Sequence, residues 1–273
     1  MGLPKNPRAV VTGGASGIGR AFCMQLARKK KARLLVADID LAGAEETAES
    51  ARREGSDARA VRCDVSKAEE VEALAARADR DFGGSDLIVN NAGVAAAGAV
   101  GDVSLADWEW VIGIDLWGVI YGCHSFVPRF KRQGSGAIIN VASAAGVASA
   151  PDMSAYNVSK AGVIALSETL AAELAGKDIA VTVMCPTFIQ TNIVRDGRMT
   201  DKGRQRGLAM MRRSKVTADD AVLETLAALE KNQLYVFPQS DGRWMWRLKR
   251  LAPAGYSGLL RLAQRKSLLD RLK

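Results

Sequence analysis

Ser143, Tyr156 and Lys160 are the residues of this chain best suited to chemistry. Tyr156 and Lys160 are four residues apart, a spacing that puts a phenol and an ammonium on one face of a helix. The positive charge favours the phenolate and draws a pKa of about 10 toward working pH. Such a phenol can take the proton of a secondary alcohol, or return one to a ketone, while hydride moves at the same carbon. Ser143 offers a hydroxyl that can hold the substrate oxygen beside the phenol.

A partner for the hydride is foreshadowed upstream. In the run TGGASGIG, residues 12–19, Gly13, Gly17 and Gly19 permit a tight turn and close approach of a pyrophosphate to a helix N-terminus. Ser16 and Ile18 lie in the same turn and complete its candidate cofactor contacts. Asp38 follows nineteen residues after Gly19. A carboxylate there suits both ribose hydroxyls and repels a 2′-phosphate, and neither Ser16 nor Ile39 is basic, so NAD is expected rather than NADP.

These residues need a frame. Strand-like runs at 8–12, 33–37, 58–62, 86–89, 136–141, 179–184 and 234–237 alternate with helix-like segments at 17–31, 41–54, 67–82, 105–131, 154–175 and 218–231. That alternation predicts an α/β domain, a doubly wound parallel sheet with helices on both faces and right-handed crossovers. Ligands then bind beyond the carboxyl ends of the strands.

At 273 residues, 48% hydrophobic and 25% charged, the chain reads as globular, with one domain over 1–240 and a separate tail over 241–273. No apolar run reaches the roughly 18 residues of a spanning helix, and MGLPKNPR leads into the first strand without a signal-peptide pattern, so a cytoplasmic location is expected. Cys23, Cys63, Cys123 and Cys185 are scattered among apolar residues and read as core thiols. His124 is the one histidine, which leaves metal sites and Ser-His-Asp hydrolysis poorly supplied. The net charge of +8 lies mostly in 241–273, where nine basic residues face Asp241 and Asp270. That asymmetry argues against nucleic acid as a partner of the main domain and puts any anionic partner at the tail.

Taken together, TGGASGIG at 12–19, NNAG at 90–93, Ser143 and YNVSK at 156–160 resemble the short-chain dehydrogenase/reductase superfamily over roughly residues 8–238. The resemblance implies a seven-stranded Rossmann fold, a nicotinamide cofactor and a homodimer or homotetramer built through two long helices. It also implies that Asp64 and Val65 contact the adenine, that Asn90, Ala92 and Gly93 support the cofactor, and that Pro186, Ile189 and Thr191 border the nicotinamide. Lys160 would bind the nicotinamide ribose as well as tune Tyr156.

Two positions depart from that family. Asp115 stands where an asparagine usually helps place a relay water; when ionised it keeps the acceptors, loses the amide donors, and stabilises the Lys160 ammonium while opposing the phenolate. Thr187 follows Pro186 where glycine is common, which narrows the nicotinamide side of the pocket.

The loops expected to close the pocket, VAAAGAV and AAGVASAPDM, are small and apolar, and a lid over about 189–216 mixes methionines with arginines. An apolar pocket with one polar focus suits a hydrophobic alcohol or ketone better than a sugar. The tail alternates Trp244, Met245, Trp246, Leu248 and Leu251 with basic residues, then sets Leu259, Leu260, Leu262, Leu268, Leu269 and Leu272 at roughly helical intervals. That profile suits an anionic membrane surface, a neighbouring subunit or the pocket mouth. The expected activity is NAD(H)-dependent alcohol/ketone interconversion. The alternatives are an NADP(H)-dependent carbonyl or 3-oxoacyl reductase and a membrane-held NAD(H)-binding scaffold of low activity.

Overall fold

Aliphatic runs too continuous for a half-exposed strand form a sheet covered on both faces. The computed structural model describes residues 2–269, without the side chains of Lys202 and 266–269. The side chains of Leu268, Leu269 and Leu272 therefore lie outside the described residues. The strands are β1 (Arg8–Thr12), β2 (Arg33–Asp38), β3 (Asp57–Arg62), β4 (Leu87–Asn90), β5 (Ser135–Val141), β6 (Asp178–Met184) and β7 (Tyr235–Val236). All pair in parallel, in the order β3-β2-β1-β4-β5-β6-β7. The order reverses between β1 and β4, the switch point at which a crevice opens beyond the strand ends.

Period-two alternation divides the core. Val10, Leu35, Ile88 and Ile138 face α3 (Ala68–Phe82), α5 (Gly118–Gln133) and α7 (Ser154–Glu173), where Leu74, Phe126, Phe130 and Val163 meet them. Val11, Leu34, Val36, Val89 and Ile139 face α1 (Gly17–Lys30), α2 (Leu41–Arg53) and α9 (Ala218–Glu230), through Phe22, Leu26, Ala48 and Val222. Between the layers on the first side runs a buried polar chain. Asn90 Nδ2 donates to Asn140 Oδ1 (2.8 Å), Asn140 Nδ2 to Ser167 Oγ (3.0 Å), and Ser167 Oγ to the Val163 carbonyl (2.7 Å), tying β4 and β5 to α7.

The helix expected over 105–131 is present as one continuous run to Gln133, but not uniform: α4 (Leu105–Ile112) passes through a single π turn, Gly113–Trp117, into α5. Such a turn locally widens the helix and re-aims its side chains, and it commonly sits at a functional site. Here it carries Asp115, which is fully buried. By length and composition 105–133 could cross a membrane, although no such run stands out in the sequence, but half of its apolar window is buried within the fold.

Three helical regions lie outside the sequence-predicted elements. The four-residue α6 (Ala145–Ala148) follows Ser143, and α8 (Asp201–Arg213) forms inside the lid, its Thr200 Oγ1 capping Gly203 N at 3.2 Å. Two of the lid arginines bind protein: Arg198 pairs with Asp107 (2.8 Å) and stacks on Trp110 (4.0 Å), and Arg204 donates to the carbonyls of Val194, Arg195 and Gly197. Residues 240–269 fold as α10 (Ser240–Leu251) and α11 (Pro253–Leu269), and α10 and the start of α11 lie against the domain. Trp246 sits on Tyr235 and Phe237, with centroids 5.1 and 5.4 Å away. Lys249 Nζ donates to the Val147 carbonyl (2.6 Å) and Ser149 Oγ (3.0 Å), and Tyr256 Oη to the Ala148 carbonyl (2.7 Å). These bonds satisfy carbonyls at the end of α6 that have no helical partner.

Candidate active site

The crevice begins at a turn that leaves no room for a side chain at Gly13 or Gly19. Gly13 has φ +66°, and a Cβ there would stand 2.7 Å from Asn91 Nδ2 and 2.8 Å from Ala92 Cα. At Gly19 it would lie 2.0 Å from the Gly13 carbonyl oxygen. The turn is fastened to β4 by Asn91 Nδ2, which donates to the Thr12 and Gly13 carbonyls, and by Thr12 Oγ1, which accepts from Asn91 N and Ala92 N (3.0 and 3.1 Å). Ser16, the residue before α1, makes no side-chain cap, and the first turn of α1 holds no acid. The N–H groups and positive dipole end of that helix are thus left for an anion in the crevice.

At the rim Asp38 is held by its neighbours: Oδ2 accepts from Ala15 N (2.9 Å) and Oδ1 from Asp40 N (3.0 Å). Asp64 accepts from the Ser66 amide and hydroxyl (3.0 and 2.7 Å). Burial would raise its carboxyl, but those bonds and the nearby Lys67 hold it below the usual carboxylate range. The glycine cradle, the uncapped helix and the acid at the rim together fit a dinucleotide.

Tyr156 and Lys160 stand one turn apart on α7, with Lys160 Nζ 5.6 Å from the phenol ring centroid. Lys160 Nζ donates to the Val141 carbonyl (3.3 Å) and lies 3.3 Å from Asp115 Oδ2, an ion pair outside hydrogen-bond geometry. Asp115 Oδ1 accepts from Val94 N at 2.7 Å, so the π turn also fixes the loop after β4. Burial raises the Asp115 carboxyl against the pull of Lys160. For Lys160 burial pulls downward, yet the negative charge of Asp115 leaves its ammonium raised. Burial holds the Tyr156 phenol above its ordinary value, against the expected draw toward working pH; Lys160 and the neighbouring Ser143 pull it down without reversing this, and Asp115 adds to the rise.

Ser143 sits just past β5, where its Oγ accepts from Ala145 N (3.1 Å) and donates to the Pro186 carbonyl (3.3 Å). α6 then crosses α7 at Gly146, so closely that a Cβ would meet the Lys160 carbonyl carbon at 2.5 Å.

One cleft of about 350 Å³ joins these parts. Of the residues expected at the site, Gly13, Ser16, Gly17, Ile18, Asp38, Asp64, Val65, Ala92, Gly93, Ser143, Tyr156, Lys160, Pro186, Ile189 and Thr191 line it. Gly19, Asn90 and Asp115 do not. Gly19 serves the close approach within the turn, and Asn90 points into the core, because alternate residues of a strand face opposite ways. Asp115 is fully buried beside Lys160 and does not reach the cleft, so it is placed to affect Lys160 rather than to touch a bound molecule. The cleft wall also includes Asn91 and Ile114, which the sequence did not single out, and Val94, Asn192, Ile193 and Asp196, which belong to the loop and lid expected to close the pocket. The only sequence signal for Asn91 was its place in NNAG. Cys63 lines the cleft too; burial pushes its thiol up to about 12, which leaves it an inert wall.

A model of the short chain dehydrogenase family matches residues 7–202. "Probable oxidoreductase EphD" of Mycobacterium tuberculosis is 40% identical over 185 residues, which are 67% of this chain and 31% of EphD, so the chain spans about a third of that relative's length. "Putative oxidoreductase SadH" of the same organism is 32% identical over 257 residues, covering 92% of this chain and 93% of SadH. Among solved structures, a short chain dehydrogenase/reductase from Burkholderia phymatum in complex with NAD matches with a TM-score of 0.85 and 32% identity, covering 91% of this chain and 95% of that one.

Proposed function

This chain belongs to the short-chain dehydrogenase family, and from that premise we propose that it interconverts a hydrophobic secondary alcohol and its ketone with NAD(H). The observation that carries the reading is that Ser143, Tyr156 and Lys160 line the same cleft as the glycine cradle and Asp38. A nicotinamide bound there would supply the group that accepts or returns hydride. In this reading Gly13, Gly17 and the first turn of α1 hold its phosphates, and Asp38 takes the ribose hydroxyls and disfavours a 2′-phosphate. Support for NAD also comes from the solved relative in complex with NAD.

The chain's own residues then move the proton. Ser143 hydrogen-bonds the substrate oxygen, and the Tyr156 phenolate takes its proton in oxidation or the phenol returns one in reduction. The Lys160 ammonium favours the phenolate. Val94, Ile193 and Met211 give the cleft apolar wall, which suits a hydrophobic substrate. We place the enzyme in a reducing cytoplasm, in keeping with four free buried cysteines, and assign it a homodimer or homotetramer, in keeping with the exposed Trp117 and Val158 on its long helices.

The test is turnover of a panel of hydrophobic secondary alcohols, followed at the reduced-nicotinamide absorbance, with Tyr156→Phe beside the parent. The expected result is NAD-dependent turnover that falls by about 10²–10⁴ in the variant, while NADH binding by fluorescence titration is retained. Undiminished turnover in Tyr156→Phe would overturn the mechanism.

A further inference from the structure

The last two helices have two unlike sides. One side holds the domain: Gly242 lies where a Cβ would stand 3.2 Å from Thr187 Cγ2, and Lys249 and Tyr256 grip the carbonyls of Val147 and Ala148. On the other, Trp244, Leu248 and Leu251 follow the i, i+4, i+7 stripe of a helix, and α11 exposes Leu259 and Leu262, three residues apart. All five are exposed, Trp244 by 68% and Leu251 by 86%. Isolated exposed leucines are ordinary, but a tryptophan and four leucines on adjoining helices are not.

The charge around this stripe decides what covers it. Residues 241–273 hold nine basic and two acidic side chains. Arg247 lies over the Trp244 ring at 5.9 Å, Arg261 and Arg265 are exposed, and the one ion pair recorded for these helices among the described residues is Arg243 with Glu224 (3.5 Å). Two copies meeting through this face would bring like charges together. A bilayer of anionic lipid takes both features at once, the arginines at the phosphates and the Trp and Leu side chains at the acyl boundary.

We propose that the outer face of α10 and α11 is a peripheral docking surface for anionic lipid bilayers. The same α10 touches Thr187, which lines the cleft, so docking sets the cleft beside the lipid. A hydrophobic alcohol dissolved in the bilayer then has a short path to Tyr156, a consequence that rests on the catalytic reading above; the docking itself does not.

Co-sedimentation of the full chain with vesicles of mixed phosphatidylglycerol and phosphatidylcholine, against phosphatidylcholine alone, tests the surface without turnover. Binding to the anionic vesicles should exceed binding to the neutral ones about tenfold at low salt and fade as salt shortens the screening length. Trp244→Ser with Leu251→Ser should lower it about tenfold, and Arg247→Glu with Arg261→Glu by more, while Lys29→Glu on the exposed end of α1 changes it little. Thermal unfolding and NADH titration check that each variant is folded. Equal recovery with both kinds of vesicle overturns the proposal. So does a Trp244→Ser, Leu251→Ser variant that still binds vesicles but loses an oligomer in sedimentation velocity, an outcome that assigns the face to a second copy.

Discussion

Lys160 Nζ stands 3.3 Å from Asp115 Oδ2, with both side chains almost wholly buried. In the proposed mechanism, the pair gives Lys160 a partner that competes with the Tyr156 phenolate. A neutral residue at 115 would leave the ammonium's field to Tyr156 alone.

Asp115→Asn therefore moves the proton chemistry in a set direction. Asp115 raises the Tyr156 phenol, so its removal lowers that pKa. The rising limb of alcohol oxidation, which needs phenolate, and the falling limb of ketone reduction, which needs phenol, should both shift to lower pH, while turnover at the optimum changes by less than about tenfold. Rate profiles against pH in both directions measure this. Profiles that stay in place would mean that Asp115 acts only by holding Val94 N, and a gain of orders of magnitude would mark it as a damaged relay.

Cofactor choice should turn on the end of β2. Asp38→Ala removes the repulsion of a 2′-phosphate, and Ile39→Arg, at an exposed position beside it, supplies a cation for that phosphate. The double variant should bind NADPH at least about tenfold more tightly than the parent and NADH more weakly, a gain of about 1.4 kcal/mol for the phosphate. Fluorescence titration with both nucleotides checks it. Asp38→Ala alone also loosens the turn by releasing Ala15 N, so the single variant should lose affinity for NADH without acquiring NADPH.

Gly146 and Gly162 should respond differently to alanine. At Gly146 the new methyl meets the Lys160 backbone at 2.5 Å, which yields only if α6 and α7 separate. The expected cost is about 2–3 kcal/mol, with a raised KM for the alcohol as Ser143 and Lys160 part. At Gly162 the nearest atoms belong to the Leu116 side chain, at 2.9 Å, which can turn away, so the cost should be under about 1.5 kcal/mol. Thermal unfolding and substrate titration of the two variants decide the matter, and equal effects would mean that α6 is free to move.

Much of this was legible because it is local. Continuous aliphatic runs gave most of the strands to within a residue or two, since a buried parallel strand needs apolar side chains on both faces; the edge strand β3 is half-exposed and has no such run. The turn at 12–19 was readable because so close a backbone approach needs glycine, and the Tyr156–Lys160 face because four residues make about one helical turn. Even Asp115 stood out as an unusual residue.

What escaped the sequence is whatever depends on chain far away or on a shift of one residue. Helical periodicity does not register a single π turn, so the resemblance set Asp115 near Lys160 without the turn that aims it inward. A four-residue helix such as α6 has too few turns to leave a pattern, and the contacts that hold it reach it from Lys249 and Tyr256, more than 100 residues away. Sequence alone determined the kinds of element and the chemical groups, because those follow from the residues on either side. The tertiary structure decided which of Asn90 and Asn91 faces the cleft, that Asp115 is buried beside Lys160 and away from the cleft, and that the tail's inner side braces α6 after Ser143, because direction and burial are set only when distant segments close on one another.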